Sequence, residues 1–253
     1  MVQSVERTLD ILEALSTAGE DLSLSQICEQ LDLPLGTVHR LLGALVSRGY
    51  AAQDRATRQY GPGPRLLEMA ARAGTSRRFQ LDQIARPILQ ELTAATTETS
   101  NLLLLRGDEG VYSAQVPSPH MVRMFTEVGQ RVPLYCTGAG KAILAGLPPE
   151  AFERYLAATP LQRFTPQTLG TPEALRDAIA AARAQGFAID DEEREPNVCC
   201  VAAPIFDRTG VCLGALSISG PSSRFSRERA EALGPLVRAA ARRCSQALGY
   251  SYR

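Results

Sequence analysis

The sequence predicts a two-domain α+β protein: a small N-terminal helical head with a hairpin wing, a helical linker, and a larger C-terminal body built on an antiparallel sheet with flanking helices. Three observations predict it. Apolar residues recur at helical spacing through roughly the first fifty positions and break at tight turns. Beyond residue 98, short β-rich runs alternate with helical patterns and close on a hairpin signal, Asp207-Arg208-Thr209-Gly210. Between those regions the charge inverts. Residues 1–34 carry Arg7 against Glu6, Asp10, Glu13, Glu20, Asp21, Glu29 and Asp32, a net of −6, whereas residues 35–78 carry eight arginines against Asp54 and Glu68, a net of +6. The zero net charge of the 253-residue chain conceals this polarity.

The bulk numbers bound the rest. Apolar content of 45% and charged content of 21% are ordinary for a globular chain. No apolar run approaches the roughly 18–20 residues that span a bilayer, and Met1–Glu6 lacks the basic and apolar regions of a secretory leader. A cytoplasmic protein without a membrane partner is expected. The six cysteines match neither zinc-knuckle spacing nor a disulfide scaffold, and His39 and His120 are the only histidines. No metal or other cofactor is expected, and the cysteines read mostly as small core residues.

The head is expected over residues 1–63. Val5, Leu9, Leu12 and Leu15, widened by Ile11, predict a first helix with an apolar seam. Ser23-Leu24-Ser25-Gln26 matches a capping box for a second helix that runs to about Leu31. Pro34 suits the first turn of a third, where its missing N–H costs nothing. In that third helix Val38, Leu41, Leu42 and Leu45 point one way, and Gly36, Arg40, Gly43 and Ser47 the other, flanked by Thr37 and His39. Small residues near the helix start allow the backbone to approach a groove, and Thr37 and Arg40 have the reach for base edges or phosphates. Tyr50–Tyr60 predicts a hairpin with Asp54-Arg55-Ala56-Thr57 at its tip, which would bring Arg55 and Arg58 to the nucleic-acid backbone or minor groove. Arg65, Arg72, Arg77 and Arg78 extend the positive charge. Two short helices, a tight turn and a basic wing are what a helix-turn-helix needs to sit on double-stranded DNA.

Residues 64–78 read as a helical linker and 79–253 as the body. Phe79, Leu81, Ile84, Ile88, Leu89 and Leu92 supply an apolar face, and Pro87 predicts a kink or break near Arg86. A hairpin is expected from Asn101–Arg106 and Val111–Val116 through Gly107-Asp108-Glu109-Gly110, with a further strand at Met121–Phe125. Short helices follow at Gly138–Ala145 and Glu150–Ala157, and a clear one at Glu173–Gln185. Strands at Phe187–Asp190, Val198–Phe206 and Val211–Ser219 precede a last helix from Arg227 to Leu248. Heads of this kind work in symmetric pairs, so a homodimer is expected.

The body supplies a polar set for a pocket. Asp190 ends one strand, Cys200 lies in the next, and Ser217 and Ser219 share a face of the third. Cys136-Thr137-Gly138-Ala139-Gly140-Lys141 presents a helix start whose N–H groups, together with Lys141, suit a small carboxylate. Blander readings stay open: Ser217 and Ser219 as a solvated strand face, and Lys141 as a surface residue. Cys200 beside Asp190 also raises a cysteine-dependent enzyme, against which stands the lack of a well-placed histidine.

The chain resembles the IclR-type transcriptional regulators over about Val5–Ala247. The matching runs are Ser4–Arg7, Leu33–Leu42, Arg48–Tyr50, Gly129–Leu134, Thr137–Ala142, Phe164–Thr168, Gly186–Glu193, Val198–Ile205 and Ser217–Pro221. The resemblance implies a winged helix-turn-helix, a GAF/profilin-like effector domain, homodimers or dimers of dimers, and repression of catabolic operons under control of a small organic acid. It implies effector contacts at Ala139, Gly140, Asp190, Val198, Cys200, Ser217 and Ser219. The chain departs from the family pattern at Leu35 and Gly36, where lysine and serine are usual, and at Asn197, where glycine is usual. A constitutive DNA binder with a vestigial sensor is the alternative.

Overall fold

The computed structural model describes residues 3–73 and 77–252, which fall into two compact units, 1–76 and 77–253. In the first, α1 (Gln3–Thr17), α2 (Leu24–Leu31) and α3 (Leu35–Ser47) lead to β1 (Ala51–Gln53), β2 (Tyr60–Pro62) and α4 (Pro64–Ala73). Ile11, Leu15, Ile27, Val38 and Leu42 form its buried centre. The Ser23 capping box is complete: the serine hydroxyl accepts from the Gln26 N–H, and Gln26 Oε1 accepts from the Ser23 N–H at 2.8 Å. Such a cap contributes about 1 kcal/mol. Asp32, left-handed at φ 48°, ends α2. Pro34 stands at the N-cap of α3, one residue before the expected place, and its carbonyl accepts from the Thr37 and Val38 amides.

The seam of α1 differs from the expected one. Ile11, Ala14 and Leu15 are buried, whereas Val5 and Leu9 are 55% and 53% exposed. The helix carries two apolar stripes on opposite sides, and the core of this unit covers only one of them.

The second unit begins with α5 (Arg77–Thr96) and the hairpin β3 (Thr99–Arg106) and β4 (Glu109–Val116), followed by β5 (Arg131–Pro133). Three helices follow, α6 (Gly138–Gly146), α7 (Pro149–Ala158) and α8 (Pro172–Gln185). Then come β6 (Ala188–Asp191), β7 (Val198–Phe206), β8 (Cys212–Pro221) and α9 (Arg227–Ala247). The six strands form one antiparallel sheet in the order β5-β4-β3-β8-β7-β6. Helices α5 and α9 cover one face, where Leu81, Leu89 and Val237 meet Val201 and Ile218. Helices α6, α7 and α8 cover the other, where Ile143, Phe152 and Ile179 meet Leu103, Ala202 and Ala215.

Three sequence expectations change here. The β3–β4 turn is only Gly107-Asp108, because Glu109 and Gly110 already pair with Arg106 and Leu105. Met121–Phe125 forms no strand; Met121, Val122 and Phe125 are exposed, and the sheet gains Arg131–Pro133 at that edge instead. Helix α5 passes through Pro87 unbroken. Leu81 and Ala85 before the proline, and Ile88, Leu89 and Leu92 after it, pack on the same core and hold both halves in one helix. The side chains of Arg72, Arg77, Arg78 and Phe79 lie outside the described residues.

Candidate functional site

The outward face of α3 is open. Gly36, His39, Arg40, Gly43 and Ser47 are exposed and Thr37 is half-buried, while Val38, Leu41, Leu42 and Leu45 anchor the helix from behind. A methyl group added at Gly36 or Gly43 would meet nothing within 4 Å, so the backbone there is free to approach a large surface. The Ser47 hydroxyl donates to the Ala44 carbonyl at 2.9 Å and keeps its lone pairs for outside donors. Beside this face, the β1–β2 wing is built by Asp54, whose Oδ1 accepts from the Ala56 and Thr57 amides and the Thr57 hydroxyl. These bonds hold the Asp54 carboxyl below its ordinary range and fix a tip with Arg55 exposed. Arg58, also exposed, sits in the left-handed region at φ 63°. Arg65, expected to extend the basic surface, is instead bound to Glu68 at 2.7 Å.

In the second unit, strand register assembles a polar floor. Asp190 lies opposite Cys200, Cys200 opposite Ser219, and Ser219 opposite Thr99. In the next row on the same face stand Ala202, Ser217, Asn101 and Gln115. Above the first row is a cavity of about 260 Å³. Of the seven expected effector residues, Asp190, Val198, Cys200 and Ser219 line it. Ser217 lies behind them, 1% exposed, with its hydroxyl against the Cys200 thiol. Both serines are buried, which overturns the solvated-face reading. Ala139 and Gly140 do not line the cavity. The Ala139 amide bonds to the Cys200 thiol, and the Gly140 N–H donates to Thr137 Oγ1 at 3.0 Å in the N-cap of α6. Glycine is required at 140, where a Cβ would stand 2.2 Å from the Leu134 carbonyl oxygen.

Lys141 is neither a surface residue nor a pocket residue. It is 3% exposed and its Nζ is ion-paired with Glu193. The cation of the cavity is Arg194, whose guanidinium stacks 3.8 Å over the Phe164 ring. Arg194, Tyr112, Met124, Phe125, Thr126 and Gln130 complete much of the wall. Nothing in the sequence marks these as site residues: Tyr112 is one more strand position, and Arg194 and residues 124–130 lie in irregular loops of the structure. Asn101 carried a signal, a polar residue among leucines in a buried strand. Its Nδ2 donates to Ser219 Oγ at 3.2 Å, and its Oδ1 accepts from Gln115 Nε2 at 3.1 Å and Thr126 Oγ1 at 2.9 Å. Asn197 adopts φ 62°, the left-handed geometry that glycine would take, and its carbonyl accepts from the Ser222 amide at 2.8 Å.

The electrostatics favour binding over covalent chemistry. Burial pushes the Cys200 thiol far above its ordinary range, and no histidine lines the cavity, so the thiolate that a nucleophile needs is not available near neutral pH. Burial also raises the Asp190 carboxyl to about 7, against the opposing pull of Lys141. A neutral Asp190 can donate a hydrogen bond that a carboxylate cannot. Among the described residues no His/Cys/Asp/Glu cluster suited to a metal is present, and no helix is long and apolar enough to cross a membrane.

Comparison with known proteins places these features in context. Residues 4–55 match the model of the IclR helix-turn-helix domain, and residues 74–246 that of the bacterial transcriptional regulator IclR C-terminal domain. The HTH-type transcriptional repressor AllR of Escherichia coli (strain K12) is 37% identical over 247 residues, covering 98% of this chain and 90% of that one. The crystal structure of the Thermotoga maritima IclR superposes with a TM-score of 0.81 at 31% identity, covering 99% of this chain and all of that one. An IclR homolog from Microbacterium hydrocarbonoxydans, solved in complex with 4-hydroxybenzoate, gives a TM-score of 0.79 at 27% identity over 97% of this chain and 98% of that one.

Proposed function

This chain belongs to the IclR family of DNA-binding transcriptional regulators and is not an enzyme, and from that premise we propose that it is a repressor of catabolic genes whose operator affinity is set by a small organic acid in the Asp190–Cys200–Ser219 cavity. The observation that carries this reading is the cavity itself: a buried polar floor whose hydroxyls and carboxyl are fixed by hydrogen bonds, walled by one stacked guanidinium. Arg194 supplies the charge for a carboxylate, and Ser219, with Asp190 when it is protonated, supplies donors for a second oxygen. The complex of a family relative with 4-hydroxybenzoate, an aromatic acid, supports the same ligand class. The protein acts in the cytoplasm as a homodimer or dimer of dimers, reading a two-fold operator. Bound acid changes operator affinity only to the extent that it favours one arrangement of the dimer over the other.

On the DNA side, Arg40, Thr37 and His39 face the groove from α3, with Gly36 and Ser47 at its two ends. Arg55 and Arg58 of the wing meet backbone phosphate. Replacing Arg40 with alanine is expected to weaken binding to the protein's own promoter DNA by roughly 1–3 kcal/mol, with an unchanged melting temperature. Fluorescence anisotropy at fixed salt checks this; an unaltered binding curve would remove Arg40 from the reading face.

A further inference from the structure

The unit that holds the cavity has a second concavity at the far end of the same strand. Strand β6 pairs with β7 only as far as Ala188 opposite Ala202, so β7 beyond that point has a bare edge on this side. Pro204 lies there, as suits a strand edge that no neighbour covers. A cleft of about 180 Å³ adjoins it, lined by Ala203, Pro204 and Phe206 together with Arg183 of α8 and Arg238 and Arg242 of α9. It shares no lining residue with the Asp190 cavity.

The three guanidiniums are held in place without being neutralised. Arg183 donates from Nε to the Ala145 carbonyl and from Nη2 to the Leu147 carbonyl, both at 3.1 Å. Arg238 donates from Nη1 to the Gln185 carbonyl at 2.8 Å. Its stem passes over Gly186, where a Cβ would stand 2.7 Å from Arg238 Cδ. Arg242 stacks over the Tyr252 ring at 4.8 Å. Among the described residues no carboxylate lines the cleft. Glu153 is near enough to feel Arg183, but both of its oxygens are bound by Arg176. Arg131, Arg176, Arg224 and Arg243 of the same unit, by contrast, each meet a carboxylate within 3 Å.

We propose that this cleft is a second anion site that takes the phosphate group of a small phosphorylated metabolite. Three cations around one opening match a dianion better than a monocarboxylate, and the planar guanidinium fork suits phosphate oxygens. The apolar floor of Ala182, Ala203 and Phe206 receives a short carbon skeleton, and the volume excludes a large one. The site rests on its own residues and does not depend on the identity of the acid in the Asp190 cavity.

The test is calorimetric titration of the full-length protein with inorganic phosphate at ionic strength held constant with chloride, with acetate as the monoanion comparison. Saturable phosphate binding is expected in the wild type and little with acetate. Arg183→Gln and Arg242→Gln should each weaken it about tenfold, with melting curves showing that both variants fold. Arg194→Ala and Arg40→Ala should leave it unchanged. The proposal is overturned by the absence of saturable binding, or by wild-type affinity in both cleft variants. A loss confined to Arg194→Ala or Arg40→Ala would also overturn it, by moving the phosphate to the acid cavity or to the DNA-reading face.

Discussion

Lys141→Met is expected to destabilise the C-terminal unit by about 3 kcal/mol, within the range for removing one partner of a buried ion pair. Lys141 and Glu193 have side chains only 4% and 8% exposed, and Glu193 Oε2 has no hydrogen-bond partner. Glu193 is thus satisfied mainly through the lysine. Removing Lys141 leaves a buried carboxylate that must take up a proton or admit water, and burial already raises the Glu193 carboxyl above its ordinary range. For a domain of this size the loss corresponds to a drop in melting temperature of about 6–12 °C. The chain has no tryptophan, so far-UV circular dichroism is the practical readout. Lys141→Met/Glu193→Met, which removes both charges, is expected to recover most of the loss. A single variant as stable as wild type would show that the pair contributes nothing.

Asp190→Asn is expected to stabilise the same unit at high pH and to do nothing at low pH. The folded-state pKa of Asp190, at about 7, lies above its ordinary value of 3.8. The folded protein therefore holds a proton that the unfolded chain releases. The stability this contributes is fully present below about pH 4 and is lost as the pH rises through about 7. The groups facing Asp190 are Lys141 from α6, Asp191 and Glu193 from its own segment, and Cys200 and Tyr112 from β7 and β4. Of these, Lys141, itself engaged by Glu193, and the Glu193 backbone N–H favour the charged form, and burial outweighs both. Asparagine resembles the protonated acid and keeps an oxygen for the Glu193 amide, which now donates to Asp190 Oδ1 at 2.8 Å. The difference in unfolding free energy between variant and wild type should thus grow from near zero at about pH 4 toward an upper bound of about 4 kcal/mol at about pH 8. A difference that does not vary with pH would place the Asp190 proton elsewhere.

Much of this architecture was legible in the residues. The three head helices, the capping box at Ser23–Gln26 and the wing at Asp54–Thr57 follow from local rules, because caps and turns are made by neighbours in sequence. The polar floor was half legible. A spacing of two places Ser217 and Ser219 on one face, but only the pairing register brings Asp190, Cys200 and Ser219 into one row, and register is a property of partner strands. The resemblance brought Ala139, Gly140 and Val198 to the site, and of these only Val198 lines the cavity. Lys141 and Arg194 show the larger gap. A lysine at a helix start looks like an anion ligand, and only tertiary structure reveals that Glu193, 52 residues later, takes its charge. Arg194 lies in a loop with no periodic pattern, so nothing local marks it as the cavity's cation. Val5 and Leu9 mislead for a related reason: an apolar stripe predicts a buried face without saying which of two stripes the domain itself will cover.

The most direct test of the central reading is a melting-temperature screen against small carboxylates, keto acids, sugar acids and aromatic acids. Wild type is run beside Arg194→Ala and Asp190→Ala. A saturable rise in melting temperature with at least one acid is expected for wild type, abolished in Arg194→Ala and reduced in Asp190→Ala. A shift that survives in both variants would place the acid outside this cavity. No shift with any acid, all three proteins being folded, would contradict effector control and favour a constitutive DNA binder.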